Sequence, residues 1–240
     1  MRHAQQLRDA LPVVGLWASI DSSVTAEAAA AAGADYVVVD EQHGVVDPTG
    51  MAAMLQAIQL GGAAPLVRVA RNDPWLIGHA LDLGALGVIV PMVDDGEQAA
   101  RALTACRYAP GGVRSHGVVR GERETAPLCL VMIETRAGLE HLDEIAATPG
   151  LDGIYIGPSD LALSLGLEPT RRLEHPPVLE AIERIRARCA EAGLIAGLHC
   201  LTPEDAARFS GQGFGLITAG GDLTYLRDAL ARALATARGR

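Results

Sequence analysis

Lysine is absent from this sequence of 240 residues, and all 20 of the positions counted as Lys or Arg are arginine. Without lysine, the chain cannot form a lysine Schiff base with a carbonyl substrate. The absence therefore excludes one common route to a carbanion. If the protein generates a carbanion next to a carbonyl, a metal ion is the expected electron sink.

Several other features are scarce. The four cysteines form no C-x-x-C pair, which argues against a structural zinc site. No apolar run approaches the ~18–20 residues of a membrane span, and a net charge of −9 argues against nucleic acid or an anionic membrane as partner. Scattered thiols, and a start without the apolar run of a signal peptide, favour a reducing cytoplasm.

Apolar runs typical of strands alternate with helical patterns along the whole chain. The runs are continuously apolar, as expected for parallel strands that are covered on both faces. Eight strand–helix units in this length predict one (β/α)8 barrel domain over residues 1–240, with a doubly wound open sheet as the alternative. The predicted strands cover residues 13–20, 35–40, 64–70, 87–93, 128–134, 152–157, 194–200 and 214–221.

Polar residues end or follow several of these strands. Enzymes with a (β/α)8 barrel carry their catalytic groups at the C-terminal ends of the strands. The barrel would therefore bring residues from separate parts of the chain to one mouth. The residues predicted to meet there are Asp40, His43, Arg68, Glu134, Asp160 and His199.

Glu134 and Asp160 are the candidate metal ligands. A carboxylate that ends a buried strand is costly unless a cation or hydrogen bonds compensate it. Two carboxylates on neighbouring strands leave coordination positions open for water and substrate, which suits Mg²⁺ or Mn²⁺. The alternative is that Glu134 pairs with an arginine, such as Arg136 or Arg114.

Arg68 and His43 are the candidate groups for substrate binding and proton transfer. Arg68 lies inside an apolar strand, and its planar fork matches a substrate carboxylate, although a structural ion pair with Asp40 or Asp82 is the alternative. His43 follows strand two, where a neutral imidazole oriented by Asp40 could act as a base. Its alternative is a loop histidine that hydrogen-bonds its own turn.

Four motifs carry a family resemblance: DEQHG (40–44), PLVRV (65–69), VMIET (131–135) and GPSD (157–160). With them, the chain resembles the HpcH/HpaI aldolases over nearly its whole length. The resemblance implies a TIM barrel of the phosphoenolpyruvate/pyruvate-domain type. It also implies a class II aldolase, similar to 4-hydroxy-2-oxoheptanedioate aldolase.

The resemblance implies a role for each of the central residues. Glu134 and Asp160 would hold a divalent metal, Mg²⁺ or Mn²⁺ with Co²⁺ as a further option, for the binding of a 2-oxo acid such as pyruvate. Arg68 would contact the carbonyl or developing enolate oxygen, and His43, oriented by Asp40, would transfer protons. The expected reaction cleaves or forms the C3–C4 bond of a 4-hydroxy-2-oxo acid, with an aldehyde as the other partner.

The resemblance also implies contributions from the rest of the site and from other subunits. Backbone amides around Gly157–Asp160 would hold the substrate carboxylate, with Gly157, Pro158 and Ser159 as substrate-binding residues. The family assembles as hexamers, as a trimer of dimers, with a swapped last helix. Asp82 would therefore reach the active site of a neighbouring subunit.

The sequence departs from the family pattern in residues 118–127, a segment that is longer in many members. Arg120 and Arg123 are the candidate substrate contacts left in it, and the segment is expected to border the aldehyde pocket. His199 could contact the acceptor or merely fill space. The alternatives are a related lyase or bond-forming enzyme that uses the same enolate with another acceptor, and a non-catalytic barrel that binds a metal or carboxylate.

Overall fold

A computed structural model describes residues 3–117 and 126–239. Its eight strands are all parallel and close into a barrel in chain order. The predicted (β/α)8 architecture is confirmed, and every strand lies within its predicted range. The strands are β1 Val13–Ala18, β2 Tyr36–Asp40, β3 Ala64–Arg68, β4 Gly87–Val90, β5 Leu128–Ile133, β6 Gly153–Ile156, β7 Ile195–Cys200 and β8 Leu216–Gly221.

The helices surround this barrel, and their bounds differ from the prediction at three places. The sequence does not predict the short helices α1 and α8, which have seven residues each. It predicts one helix after β5, where the chain instead forms two short ones that meet at His141. The helices are α1 Ala4–Ala10, α2 Ser23–Ala31, α3 Pro48–Leu60, α4 Pro74–Asp82, α5 Gly96–Cys106, α6 Arg136–Glu140, α7 Leu142–Ala146, α8 Pro158–Ser164, α9 Pro176–Ala192, α10 Pro203–Phe209 and α11 Asp222–Ala237.

Aspartate–proline pairs start the helices that follow β2 and β3. Asp73 accepts hydrogen bonds from two first-turn N–H groups of α4, and Pro74 occupies the first helical position. Asp47 and Pro48 do the same for α3. These caps fix where the chain leaves the barrel mouth after each strand.

The barrel interior is filled by large side chains that lie over glycines. A Cβ atom at Gly15 would come within 2.5 Å of the Tyr36 ring, and one at Gly197 would overlap the Tyr155 ring. Tyr36 and Tyr155 are fully buried, and both hydroxyl groups contact the Thr218 hydroxyl. The interior is therefore a packed floor beneath the mouth and not a pore.

The last helix, α11, packs poorly against its own barrel. None of its residues is buried, and its exposed leucines recur at four-residue spacing as Leu226, Leu230 and Leu234. Val14 on strand β1 is also 44% exposed. An apolar helix face and part of the barrel wall thus remain uncovered in the single chain. Among the described helices, none is long and apolar enough to span a membrane.

The interior packing generates a stability prediction. Gly197→Ala should lower the free energy of unfolding by about 1–3 kcal/mol, because the new methyl group collides with a ring that cannot move in a close-packed interior. Gly15→Ala should act in the same direction. Gly78→Ala is the matched control, since a Cβ there meets only the Arg114 side chain at 3.9 Å. Urea unfolding measures all three, and a wild-type midpoint for Gly197→Ala would contradict the packing account.

Candidate active site

The structure brings most of the predicted polar residues to the C-terminal mouth of the barrel. Asp40 and Arg68 end β2 and β3, Glu134 directly follows β5, and Asp160 lies in the first turn of α8. His199 faces inward near the end of β7, where its ring meets Trp17. The charges of Asp160 and Arg68 both act on the Glu134 carboxyl group, so these three side chains form one electrostatic unit.

Glu134 is a buried carboxylate with one oxygen left without a partner. It is 1% exposed, and its Oε1 accepts a hydrogen bond from the Met92 backbone N–H at 2.7 Å. Its Oε2 is buried and has no hydrogen-bond partner. Burial raises the pKa of Glu134 to about 7, and the nearby charge of Asp160 acts in the same direction.

No arginine forms an ion pair with Glu134 within the described residues, although the charge of Arg68 acts on it from a distance. Of the two arginines considered as partners, Arg114 pairs with Asp82, and Arg136 is exposed and makes no ion pair with Glu134. The alternative of a Glu134–arginine ion pair is therefore wrong for residues 3–117 and 126–239. A bound cation or a proton would therefore stabilise this buried carboxylate.

The surroundings of Glu134 fit a divalent metal ion. Gly157 lies against the free oxygen, where a Cβ atom would overlap Oε2. The glycine thus keeps space open beside the carboxylate. Two hard carboxylate oxygen donors, Glu134 and Asp160, with open space beside them suit Mg²⁺ or Mn²⁺. The described residues contain no cluster of three or more His, Cys, Asp or Glu side chains at metal-ligand spacing, so the remaining ligands would be water and substrate.

The segment from Gly157 to Asp160 offers fewer amide donors than the sequence suggests. The Gly157 N–H points to the Ile133 carbonyl at 3.4 Å, and Pro158 has no N–H. Ser159 and Asp160 lie in the first turn of α8, where N–H groups have no partner within the helix. A substrate carboxylate would therefore find its donors at Ser159 and Asp160.

Arg68 forms the ion pair with Asp40 that the sequence leaves as an alternative. Its Nε and Nη2 donate to the two Asp40 oxygens at 2.8 and 2.7 Å, while Nη1 takes no part in the pair. Burial alone would raise the pKa of Asp40, but the hydrogen bonds and charge of Arg68 lower it overall. The guanidinium group also lies over the Trp17 ring, 5.1 Å from its centre. Arg68 is thus held rigidly, with one edge of its fork outside the pair.

Asp40 holds the loop that carries His43, but it does so through the backbone. Its Oδ1 accepts from the N–H groups of Gln42 and His43 at 3.1 and 3.3 Å. This contact fixes the main chain at His43 and does not involve its imidazole ring. His43 itself is exposed at the mouth. Asp40 acts here as a positioning residue.

His199 and Trp17 form the opposite side of the mouth. The two rings meet edge to face with their centres 4.6 Å apart. Burial lowers the pKa of His199 to about 4, and the positive charge of Arg68 acts in the same direction. The imidazole is therefore neutral near pH 7, and its Nδ1 is buried without a hydrogen-bond partner.

One expected contributor, Asp82, lies away from this mouth. Asp82 ends α4 at the opposite end of the barrel, where it pairs with the buried Arg114 at 2.8 Å. Arg120 and Arg123 lie outside the described residues. Their described flanks, Gly117 and Ala126, lie where α5 gives way to β5, which is also the end opposite Glu134. The expectation that residues 118–127 border the aldehyde pocket of their own barrel therefore gains no support from these flanks.

Sequence reasoning missed two residues of the site. Met92 has a left-handed backbone with φ of 55°, uncommon for a residue other than glycine, and this places its N–H against Glu134. A backbone contact of this kind leaves no signal in residue type. The sequence analysis places Trp17 only within a predicted strand. Its position near the end of that strand is the signal that its side chain lies at the mouth.

Comparisons with known proteins agree with this geometry. A hydroxypyruvate/pyruvate aldolase of Rhizorhabdus wittichii is 39% identical over 237 residues, which cover 95% of this chain and 94% of that protein. A 2-dehydro-3,6-dideoxy-6-sulfogluconate aldolase of Pseudomonas putida is 35% identical, with 95% and 93% covered. The crystal structure of an HpcH/HpaI aldolase/citrate lyase family protein from Burkholderia cenocepacia matches with a TM-score of 0.87, 34% identity and 98% of both chains covered.

The family model for HpcH/HpaI aldolase/citrate lyase matches residues 13–229, which is most of the chain. The relatives are aldolases, so the catalytic class is that of a carbon–carbon lyase. The barrel, the carboxylates at its mouth and these matches lead to one conclusion: this chain belongs to the HpcH/HpaI aldolase/citrate lyase family.

Proposed function

We propose that this protein is a divalent-metal-dependent aldolase that joins the enolate of pyruvate, or of a close 2-oxo acid, to an aldehyde and catalyses the reverse cleavage. The observation that carries the proposal is Glu134, a buried carboxylate whose Oε2 has no hydrogen-bond partner and which lies close enough to Asp160 for the two charges to interact. Two neighbouring carboxylates without an arginine in an ion pair with Glu134 would be stabilised by a cation. Pyruvate is proposed as the nucleophile because it is named in the activity of the 39% identical relative.

Glu134 and Asp160 would hold the metal, which we propose to be Mg²⁺ or Mn²⁺. When bound, such an ion supplies Lewis-acid stabilisation for negative charge that develops on the 2-oxo oxygen. The absence of lysine is consistent with this chemistry, because the alternative electron sink would be a lysine Schiff base. The oxygen ligand set and the space at Gly157 support a hard cation.

The chain's own residues would bind and orient the 2-oxo acid. The N–H groups of Ser159 and Asp160 at the start of α8 suit its carboxylate. Arg68, held by Asp40, presents the free edge of its guanidinium group towards the same mouth and suits the carbonyl or enolate oxygen. Because both groups are fixed by the fold, they need no rearrangement as charge develops.

A proton must move between the aldol oxygen and a base when the C3–C4 bond breaks or forms. In cleavage, the base removes the proton from the C4 hydroxyl group, and the C3–C4 electron pair passes to the 2-oxo acid fragment. His43 is our candidate for this base, because its imidazole is exposed at the mouth while Asp40 fixes its backbone. The aldehyde then leaves through the open mouth.

We also propose that the protein works as a homo-oligomer, a hexamer formed as a trimer of dimers, in which α11 covers a neighbouring barrel. The support is the pairing of two uncovered apolar surfaces, the leucine face of α11 and the wall at Val14. If α11 is exchanged between subunits in this way, surfaces of one subunit would lie near the barrel mouth of its neighbour. A role for Asp82 in a neighbouring site belongs to this proposal. We propose a cytoplasmic location, consistent with four buried free thiols.

Removing either proposed metal ligand tests the function. Glu134→Gln and Asp160→Asn should each lower kcat/KM for pyruvate aldol addition by about 10³-fold, since a bound metal supplies several kcal/mol of transition-state stabilisation. Each should also weaken Mn²⁺ binding, measured by electron paramagnetic resonance. Glu183→Gln and Asp143→Asn are the matched controls, because both carboxylates are exposed in surface ion pairs far from the mouth.

The stability of these variants separates a catalytic role from a structural one. In the metal-free protein, Glu134→Gln should leave the melting temperature unchanged or raised, because it removes a buried charge with an unpaired oxygen. Full aldol activity of Glu134→Gln in the presence of chelator would refute the proposed function.

The assembly proposal has its own test. Leu230→Glu should reduce the particle mass from a multiple of 25.0 kDa to smaller species, because each leucine buried in the contact contributes about 1.5–3 kcal/mol. Arg232→Glu, on the opposite side of α11, is the control and should leave the mass unchanged. Sedimentation velocity measures both, and a wild-type mass for Leu230→Glu would show that α11 is not the contact.

A further inference from the structure

Asp94 is a carboxylate at the barrel mouth that has no part in the proposed reaction. It is half-buried and lies in loop 91–95, which connects β4 to α5. The same loop carries Met92, whose N–H donates to Oε1 of Glu134 at 2.7 Å. The charge of Asp94 also acts on the Glu134 carboxyl group, so the two side chains lie close together. A change at Asp94 can therefore alter how Glu134 is held.

The Asp94 side chain joins this loop to the residue that follows Glu134. The Thr135 hydroxyl group donates to Oδ1 of Asp94 and accepts from the Gly138 N–H at 2.9 Å, which caps α6. A hydroxyl group has one proton to donate, and here that proton is directed at the carboxylate. A hydrogen bond to a charged acceptor, of the stronger kind, thus connects loop 91–95 to the turn that carries Glu134.

The main chain of Asp94 is fixed as well. Its N–H donates to Oε1 of Gln98 at 3.1 Å, and its carbonyl oxygen accepts from Nδ1 of His141 at 2.9 Å. A Cβ atom at Gly138 would come within 2.7 Å of the Val93 carbonyl oxygen, so the first turn of α6 packs directly on the loop. Asp94 is therefore held between α5 and the junction of α6 with α7, and its carboxylate cannot easily move away from Thr135.

Loop 91–95 needs this support because Met92 has a left-handed backbone. Its φ of 55° is uncommon for a residue with a side chain, and such a conformation persists only where surrounding contacts enforce it. The Met92 N–H occupies one oxygen of Glu134 and leaves Oε2 beside Gly157. If the loop shifted relative to the turn, Glu134 would lose the contact that orients its two oxygens.

We propose that Asp94 is a positioning residue for the metal ligand Glu134, and that it acts through the Thr135 hydroxyl group by locking loop 91–95 to the turn that carries this ligand. The inference rests on the proposed metal-dependent function and adds to it a residue that does not bind the metal itself. The lock keeps Oε1 of Glu134 on the Met92 N–H, so that Oε2 stays free for the ion. Loss of a hydrogen-bonding partner of this kind typically lowers metal affinity by about 10- to 100-fold.

Binding of Mn²⁺, measured by electron paramagnetic resonance, tests the proposal independently of turnover. Asp94→Ala and Thr135→Val should each raise the Kd for Mn²⁺ by about 10-fold or more, because each breaks the same contact. The double variant should have a Kd within about threefold of that of Thr135→Val, since the two residues act through one hydrogen bond. If the two effects multiply in the double variant, the link between Asp94 and Thr135 is overturned. Thr135→Val carries the test alone if Asp94→Ala does not fold.

The variant Asp94→Asn separates position from charge. Its amide oxygen still accepts from the Thr135 hydroxyl group, so the Kd for Mn²⁺ should stay within about threefold of the wild-type value. A Kd as high as that of Asp94→Ala would show that the negative charge matters and not the contact, which would overturn the positioning role. Thr202→Val is the matched control, because Thr202 also caps a helix and donates to an aspartate, Asp205. It should lower the melting temperature and leave the Kd for Mn²⁺ unchanged.

The rate at saturating metal distinguishes this role from a merely structural one. Exchange of the pyruvate C3 protons in D2O, followed at saturating Mn²⁺, should reach the wild-type rate within about threefold in Asp94→Ala, because the metal ligand itself is still present. A rate that stays about 10-fold low or lower with the site filled would contradict a role in metal binding alone.

Failure of this inference is separable from failure of the proposed function. If Glu134→Gln leaves the Kd for Mn²⁺ unchanged, the proposed function itself is wrong. If Glu134→Gln weakens Mn²⁺ binding and both Asp94→Ala and Thr135→Val leave it unchanged, only the role of Asp94 is overturned.

Discussion

The rest of the site depends on the burial of Glu134 without a compensating cation. Its carboxylate is held by one backbone N–H of Met92, next to Asp160, in a position that is 1% exposed. A buried carboxylate of this kind is unfavourable unless a cation or proton joins it. Glu134 is one of several described side chains with a buried polar atom that lacks a hydrogen-bond partner, and its position at the barrel mouth is the pattern expected of a functional site.

The neighbouring positive charge does not form an ion pair with Glu134. Arg68 is the nearest strong positive charge, but Asp40 takes two of its donors in a bidentate pair. Burial raises the pKa of Glu134, and the charge of Arg68, which forms no ion pair with it, opposes this shift only in part. The same pairing fixes the guanidinium group over Trp17, and its field helps to keep His199 neutral. One ion pair thus leaves Glu134 without an ion-pair partner and holds the Arg68 guanidinium group against Trp17.

The sequence was sufficient for the barrel and for the location of Glu134 and Asp160 at its mouth, because both depend on local patterns. Apolar runs identify strands, and a carboxylate at the end of such a run identifies the mouth. The Asp40–Arg68 pair remained one of two options, since sequence does not reveal which anion a buried arginine meets. The Met92 contact was out of reach, because it depends on a left-handed backbone and not on a side chain. Asp82 shows the same limit: it lies at the far end of its own barrel, paired with Arg114.

The central claim is that a divalent metal at Glu134 and Asp160 enables formation of the pyruvate enolate. It is tested most directly by following the C3 protons of pyruvate in D2O by proton NMR, with metal-free enzyme and then with Mg²⁺ or Mn²⁺ restored. The account predicts that exchange stops in chelator and returns when the metal is added. Equal exchange rates with and without metal would contradict it.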